Sequence, residues 1–258
     1  MGKQGMSFSI LPPYVSLETG DTVQGSPEFW LVEYKDAKQM MYGGLPTTSG
    51  NYVLGTGGAF KLTTRINEEL VRPSKVQFQV PDPTPNSDMR LFGGVINGES
   101  TFDWWQQDPL NISGFETTDS TLAGGPGYMG NVSPPDFWFI NGTMHINCDY
   151  FLGLNLPLTN ILVTAVSETQ FSPFQLSVSL LFQNENVYLS GLWSSQDDGY
   201  GFINVPIGYE VTGVLVGVDN NEELFYGILD FTIDENGIYP INMQPVTEAD
   251  LEDILDAL

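Results

Sequence analysis

The chain has 258 residues and carries 32 carboxylates against eight Lys and Arg, a formal net charge of -24, with one Cys and one His. A surface of that sign repels phosphate backbones and anionic headgroups, so nucleic acid and anionic membranes are excluded as partners. Cys148 alone cannot form an internal disulfide, and His145 alone cannot build a multi-histidine metal site.

The length exceeds that of a typical single domain, which predicts two compact units. The 28 Gly and 17 Pro predict short strands with many turns. All eight cations, from Lys3 to Arg90, lie in the first ninety positions beside nine acids; positions 91–258 hold 23 acids and no Lys or Arg. Three readings fit that segregation: an acidic face that keeps the protein soluble, bound divalent cations, or a basic partner such as the N-terminal third of a neighbouring copy. No apolar run approaches about 18 residues, so no membrane insertion is expected. The segment MGKQGMSFSILPPYVSLETG has one Lys and no long apolar core, unlike a secretory signal peptide.

In chain order, residues 1–28 are polar and punctuated by Pro and Gly, and read as an extended arm that frays or pairs as a strand. FWLVEYK (29–35) is the first strand, and NYVLGTGGAFKL (51–62) the next, its glycines marking a bulge or a close backbone approach. Residues 74–80 alternate polar and apolar strictly, as a strand with one wet face does, and Pro81-Asp82-Pro83 stops them. Met89 to Phe102 is strand-like around Gly93-Gly94, with Asn97-Gly98 as a tight-turn candidate. Residues 108–135 lack periodicity and read as a long loop. Strands follow over 137–151 and 160–166, then at SVSLLF (177–182), within 196–219, at 224–233 and within 239–246, with Asp219 to Glu223 as a hairpin turn. The end is different: Thr247 caps a short helix whose Leu251, Ile254, Leu255 and Leu258 form one apolar stripe.

Candidate sites are sparse. Trp104, Trp105 and Trp138 form aromatic clusters that serve either as core or as a stacking platform for sugar rings. Acid-rich turns containing Asp197, Asp198, Asp219, Glu222 and Asp234 offer hard oxygen ligands, so calcium is the one cofactor the sequence suggests, although none of them matches an EF-hand loop. His145 and Cys148 are three apart, a spacing that on a strand sends the two side chains to opposite faces and separates thiol from base. Sequons stand at Asn111, Asn131 and Asn141.

The run from Asp197 to Val211, DDGYGFINVPIGYEV, has an acidic Gly turn, an aromatic strand, Pro-x-Gly and an aliphatic strand. It resembles carboxypeptidase-regulatory-like, or transthyretin-like, domains over roughly residues 171–246. The resemblance implies a seven-stranded Greek-key sandwich used as a non-catalytic spacer or recognition module, and brings no catalytic residues with it. The wider layout is similar to uncharacterised surface proteins of Bacteroidota, through the Gly57 to Val80 segment, Met89 to Gly93, and Asn147-Cys148-Asp149-Tyr150-Phe151.

The sequence therefore predicts an all-β protein of two β-sandwich units: an arm (1–28), an N-terminal sandwich (29–110), a loop-rich connection with strands (111–170), a transthyretin-like sandwich (171–246) and a helix (247–258). The expected role is a non-enzymatic extracellular or cell-surface module that binds or scaffolds, meeting a protein partner or another copy of itself. The alternatives are a structural protein of a virion or similar assembly, and a glycan-binding or glycoside-active protein.

Overall fold

The computed structural model describes residues 5–82, 86, 88–96, 102–106, 116–118 and 127–258. The Asn97-Gly98 turn and the Asn111 sequon lie outside them. The elements in order are β1 (Ser7–Ser16), β2 (Thr22–Val23), β3 (Glu28–Tyr34), α1 (Ala37–Tyr42), β4 (Thr48–Ser49), β5 (Tyr52–Ile66), β6 (Glu69–Pro81), β7 (Arg90–Ile96), β8 (Phe102–Gln106), β9 (Glu116–Thr118), β10 (Gly127–Val132), β11 (Phe139–Ile140) and β12 (Thr143–Phe151). They continue with β13 (Leu158–Val166), β14 (Leu176–Phe182), β15 (Tyr188–Ser190), β16 (Leu192–Ser194), β17 (Gly199–Pro206), β18 (Glu210–Val218), β19 (Leu224–Thr232), β20 (Ile238–Asn242), β21 (Gln244–Val246) and α2 (Glu248–Asp256).

The chain is all-β and divides into two compact units that interleave along the sequence: residues 1–36 with 54–150, and residues 37–53 with 151–258. This differs from a simple succession at residues 110 and 171. Segment 37–53 joins the second unit because α1 packs on β14 and β15, and Thr47 exchanges hydrogen bonds with the Tyr188 backbone. Strands β10 to β12 join the first unit because β10 pairs with β6 along its whole length and β12 pairs with β7.

The first unit is built on the long β5–β6 hairpin. Asn67 and Glu68 both take positive φ, 50° and 68°, as a tight two-residue hairpin turn requires. Beyond Arg65–Leu70 and Ile66–Glu69 the two strands part. Strand β6 lies between β1 and β10, while β5 pairs with β3 and belongs to the layer of β12, β7 and β8. The alternation read at 74–80 now has its reason: Val76, Phe78 and Val80 point into a core shared with Phe60, Leu62, Leu91, Tyr128, Met144, Ile146 and Cys148. Burying each large aliphatic or aromatic side chain stabilises by about 1.5–3 kcal/mol. The N-terminal arm is part of this unit, since β1 pairs with β6 from Ser7–Gln79 to Ser16–Val71. Residues 127–132, read from sequence as loop, are strand β10; their glycines serve packing, because a Cβ on Gly130 would meet the Phe78 ring at 2.2 Å.

The second unit has a four-stranded sheet ordered β16-β17-β13-β20 and a five-stranded sheet ordered β15-β14-β18-β19-β21. Only β13 and β20 pair in parallel. The expected hairpin at 219–223 joins β18 to β19, with Asp219 N–H donating to the Glu223 carbonyl at 3.0 Å. Ile241 of β20 packs against Gly213 of β18, where a Cβ would stand 2.8 Å from its Cδ1, so the two sheets face each other across that contact. Helix α2 starts as read, with the Thr247 hydroxyl accepting from Asp250 N–H and Leu251 buried. Lys38 Nζ donates to the Asp256 carbonyl at 2.6 Å, a cation placed at the negative end of the helix dipole.

Candidate functional site

The predicted aromatic platform separates into core and surface. Strand alternation turns Trp104 inward, where its ring meets Phe102 edge-on at 4.8 Å, and turns its neighbour Trp105 outward. Trp138 is fully buried, so neither it nor Trp104 offers a face to a sugar. Trp138 fits only because residue 93 has no side chain: a Cβ there would stand 1.8 Å from Trp138 Cε2. Trp105, 47% exposed, pairs edge-to-face at 5.3 Å with Phe137, 53% exposed, and these two rings form the accessible aromatic surface at this point.

The acidic turns stay local. Asp197 Oδ2 accepts from the Ser194 hydroxyl at 2.7 Å, and Asp198 sits beside it at φ 52°. Asp219 Oδ1 accepts from the N–H groups of Glu223 and Asn221, at 2.9 and 2.8 Å, and these bonds hold its carboxyl below the usual carboxylate range. Glu222 occupies the same turn at φ 66°. Asp234 follows β19, and its N–H donates to the Tyr239 hydroxyl. Among the described residues no group of three or more His, Cys, Asp or Glu converges on a common point. Calcium ligation would therefore need backbone carbonyls or water to complete the set.

Strand β12 carries the most unusual electrostatics. Its even positions, Met144, Ile146 and Cys148, enter the core, and burial pushes the Cys148 thiol well up, with Asp149 beside it adding to the shift. Its odd positions 145, 147 and 149 are polar and are buried too. His145 Nδ1 lies 3.0 Å from the Thr143 carbonyl, with the ring against Phe102. Burial, and then the Lys61 charge, push its pKa down to about 4. Base and thiol thus occupy opposite faces.

Further along, Asn147 and Asp149 are fully buried. Thr56 of β5 donates from its hydroxyl to Asn147 Oδ1 at 2.8 Å, and Asn147 Nδ2 donates to Asp149 Oδ2 at 2.5 Å. Asp149 Oδ1 has no hydrogen-bond partner among the described residues. Burial raises its carboxyl well above the ordinary range, and Thr56 opposes this by favouring the ionised form. The sequence signal for this cluster was the polar run at 143, 145, 147 and 149, which alternation alone reads as a wet face.

The edge strand β3 was missed as a functional feature. Among the described residues its strand partner is β5, in register from Glu28–Arg65 to Tyr34–Ala59. Phe29, Trp30 and Val32 are 50%, 51% and 49% exposed. The Arg65 guanidinium lies over the exposed Trp30 ring at 5.7 Å and Lys61 Nζ over the buried Tyr34 ring at 5.3 Å, so two of the chain's few cations stand beside aromatics of β3. A cleft of about 450 Å³ on the same unit is walled by Val15, Leu17, Arg72, Asp136 and Phe139, with Arg72 and Asp136 paired at 2.6 Å.

Among the described residues no helix is long and apolar enough to cross a membrane. Comparison with family models, with curated proteins and with solved structures returned no match.

Proposed function

We propose that this chain is a non-enzymatic extracellular or surface-exposed β-sandwich protein that binds or scaffolds through protein–protein contact, with β3 as its contact edge. The observation that carries this reading is the row Phe29, Trp30 and Val32, half-exposed on a seven-residue edge strand. Edge strands ordinarily avoid pairing through charge, Pro, bulges or short length, and the centre of β3, Phe29-Trp30-Leu31-Val32, has none of these. Aromatic residues beside Arg are also the composition enriched at interface centres. The partner is an extended strand of another chain, or a second copy, adding to the sheet by main-chain hydrogen bonds. The resemblance of residues 171–246 to non-catalytic recognition modules supports the same role, and a virion or other large assembly is the setting in which the second copy is the partner.

Light scattering across a concentration series tests this. Association is expected that Trp30→Lys with Val32→Lys abolishes while the circular dichroism is kept; equal mass for both proteins at every concentration counts against self-pairing at this edge.

Glycan binding is a second reading, supported by the exposed Trp105–Phe137 pair. On a glycan panel, Trp105→Ala is expected to lose about two- to tenfold in affinity, since an aromatic stacking contact contributes about 0.5–1.5 kcal/mol. No binding by the wild type ends that reading.

A further inference from the structure

We infer that the strand added to β3 is β3 of a second copy, antiparallel, with Leu31 facing Leu31 at the two-fold axis. This rests on the contact role proposed above and fixes its occupant and register. Among the described residues β3 pairs only with β5. Successive residues of a strand present their N–H and C=O groups to opposite sides, so the groups that β5 leaves unpaired belong to alternate residues of β3. In an antiparallel pair, two residues that exchange hydrogen bonds must both come from that set. Identical strands meet this condition only when the axis passes through a residue. An axis between Trp30 and Leu31, which would set Glu28 against Glu33, is thereby excluded. With the axis at Leu31 all seven residues of β3 find partners: Trp30 meets Val32, Phe29 meets Glu33 and Glu28 meets Tyr34 of the second copy. Moving the axis to Trp30 or to Val32 shortens the ladder, the first bringing Pro27 against Glu33 and the second Glu28 against Asp36.

The side chains favour the same register. Phe29 meets Phe8 at 5.0 Å, Leu31 packs on the core, and Glu33 Oε1 accepts from Met6 N–H at 3.2 Å, so these three are engaged within their own unit. Glu28, Trp30, Val32 and Tyr34 share the other face with Lys61 and Arg65 of β5. On that face Trp30 of each copy lies against Val32 of the other, an aromatic and β-branched cross-strand pair made twice, which covers both half-exposed side chains. Lys61 Nζ stands over the Tyr34 ring at 5.3 Å, and Tyr34 is the residue that faces Glu28 of the second copy. Each Glu28 therefore comes up to a cation of the other chain. The charge segregation agrees, because the first ninety residues hold eight cations and nine acids, and two molecules of net charge -24 meet with least repulsion through a nearly neutral region.

Cysteine mapping tests the register. Trp30→Cys and Val32→Cys are mixed at a concentration where wild type associates by light scattering, oxidised, and mapped by mass spectrometry; wild type, whose Cys148 is buried, is the control. Directly opposed residues have Cβ atoms about 4.5–5.5 Å apart and diagonal ones stand about 7–8 Å apart, beyond the reach of a disulfide. The expected product is a dimer joined between positions 30 and 32, formed in the mixture and by neither variant alone. Charge exchange gives a second readout. Glu28→Lys and Lys61→Glu each weaken association by roughly three- to tenfold, and mixing the two restores it, since both ion pairs are then remade in the mixed dimer. Cross-linking of Trp30→Cys alone or Val32→Cys alone overturns the register, as does an associating wild type whose variants give neither the 30–32 link nor the charge rescue; the contact role survives those results. Protection of β3 by a different chain, with this protein alone staying monomeric, overturns the second copy as occupant. A monomer whose β3 no other chain protects overturns this inference and the contact role together.

Discussion

Gly93→Ala lowers the melting point of the first unit by roughly 6–12 °C, the equivalent of about 3 kcal/mol at the upper end of overpacking costs. The added methyl would stand 1.8 Å from Trp138 Cε2 and 2.1 Å from its Nε1, separations no rotamer adjustment of the methyl itself relieves. Trp138 cannot swing outward without emptying the centre of the sandwich, because it is fully buried among residues of both sheets. Either the ring leaves its site or β7 moves away from it. Gly201→Ala is the matched control. A Cβ there meets only the Leu192 carbonyl at 3.8 Å, so this change is expected within about 0.5 kcal/mol of wild type. Thermal melts by circular dichroism compare the two; equal melting points would mean that Trp138 does not sit against Gly93.

Acidification from pH 6.5 to 4 removes about 3 kcal/mol of stability through His145 alone. Its pKa is about 4 in the folded protein against an ordinary 6.5, because the imidazole is buried beside Phe102 and within reach of the Lys61 charge. Below pH 6.5 the unfolded chain takes up a proton that the folded chain refuses, so stability falls with pH until the folded-state value is reached. Asp149 acts in the opposite sense. Its raised pKa means that the folded state binds a proton before the unfolded state does, which adds stability as pH drops through its folded value. The two contributions separate in a difference measurement. The melting temperature of wild type minus that of His145→Phe should decrease steadily from pH 6.5 to 4, whereas a constant difference would place His145 in a solvated position.

The regular half of the fold was legible because local rules settle it. Strict alternation at 74–80 matched β6, Asp219 to Glu223 closed the β18–β19 hairpin, and Thr247 capped α2. Where tertiary partners decide, the sequence was silent. Helix α1 has only six residues, too few to display a period, although Asp36 before it and Gly43-Gly44 after it were boundary signals. Strand β10 was hidden by Gly127 and Gly130, whose lack of a side chain is required by β6, a strand some fifty residues earlier. The same holds for the sites. That adjacent Trp104 and Trp105 face opposite ways follows from strand geometry, but which of them is buried depends on how β8 pairs with β7. Burial of Asn147 and Asp149 could not be read at all, since polar alternation in TMHINCDYF normally marks solvent. Conversely, the exposure of Phe29, Trp30 and Val32 was masked by a composition that normally marks a core strand.

Backbone amide hydrogen exchange across β3, followed at several protein concentrations, tests the contact role most directly. If β3 is the edge that receives a partner strand, those amides within Phe29–Val32 that point away from β5 gain protection as the concentration rises, while those of the interior strand β6 stay unchanged. If these outward amides exchange at one fast rate at every concentration, and added native partner material leaves that rate unaltered, β3 is a bare edge and the proposed function is wrong.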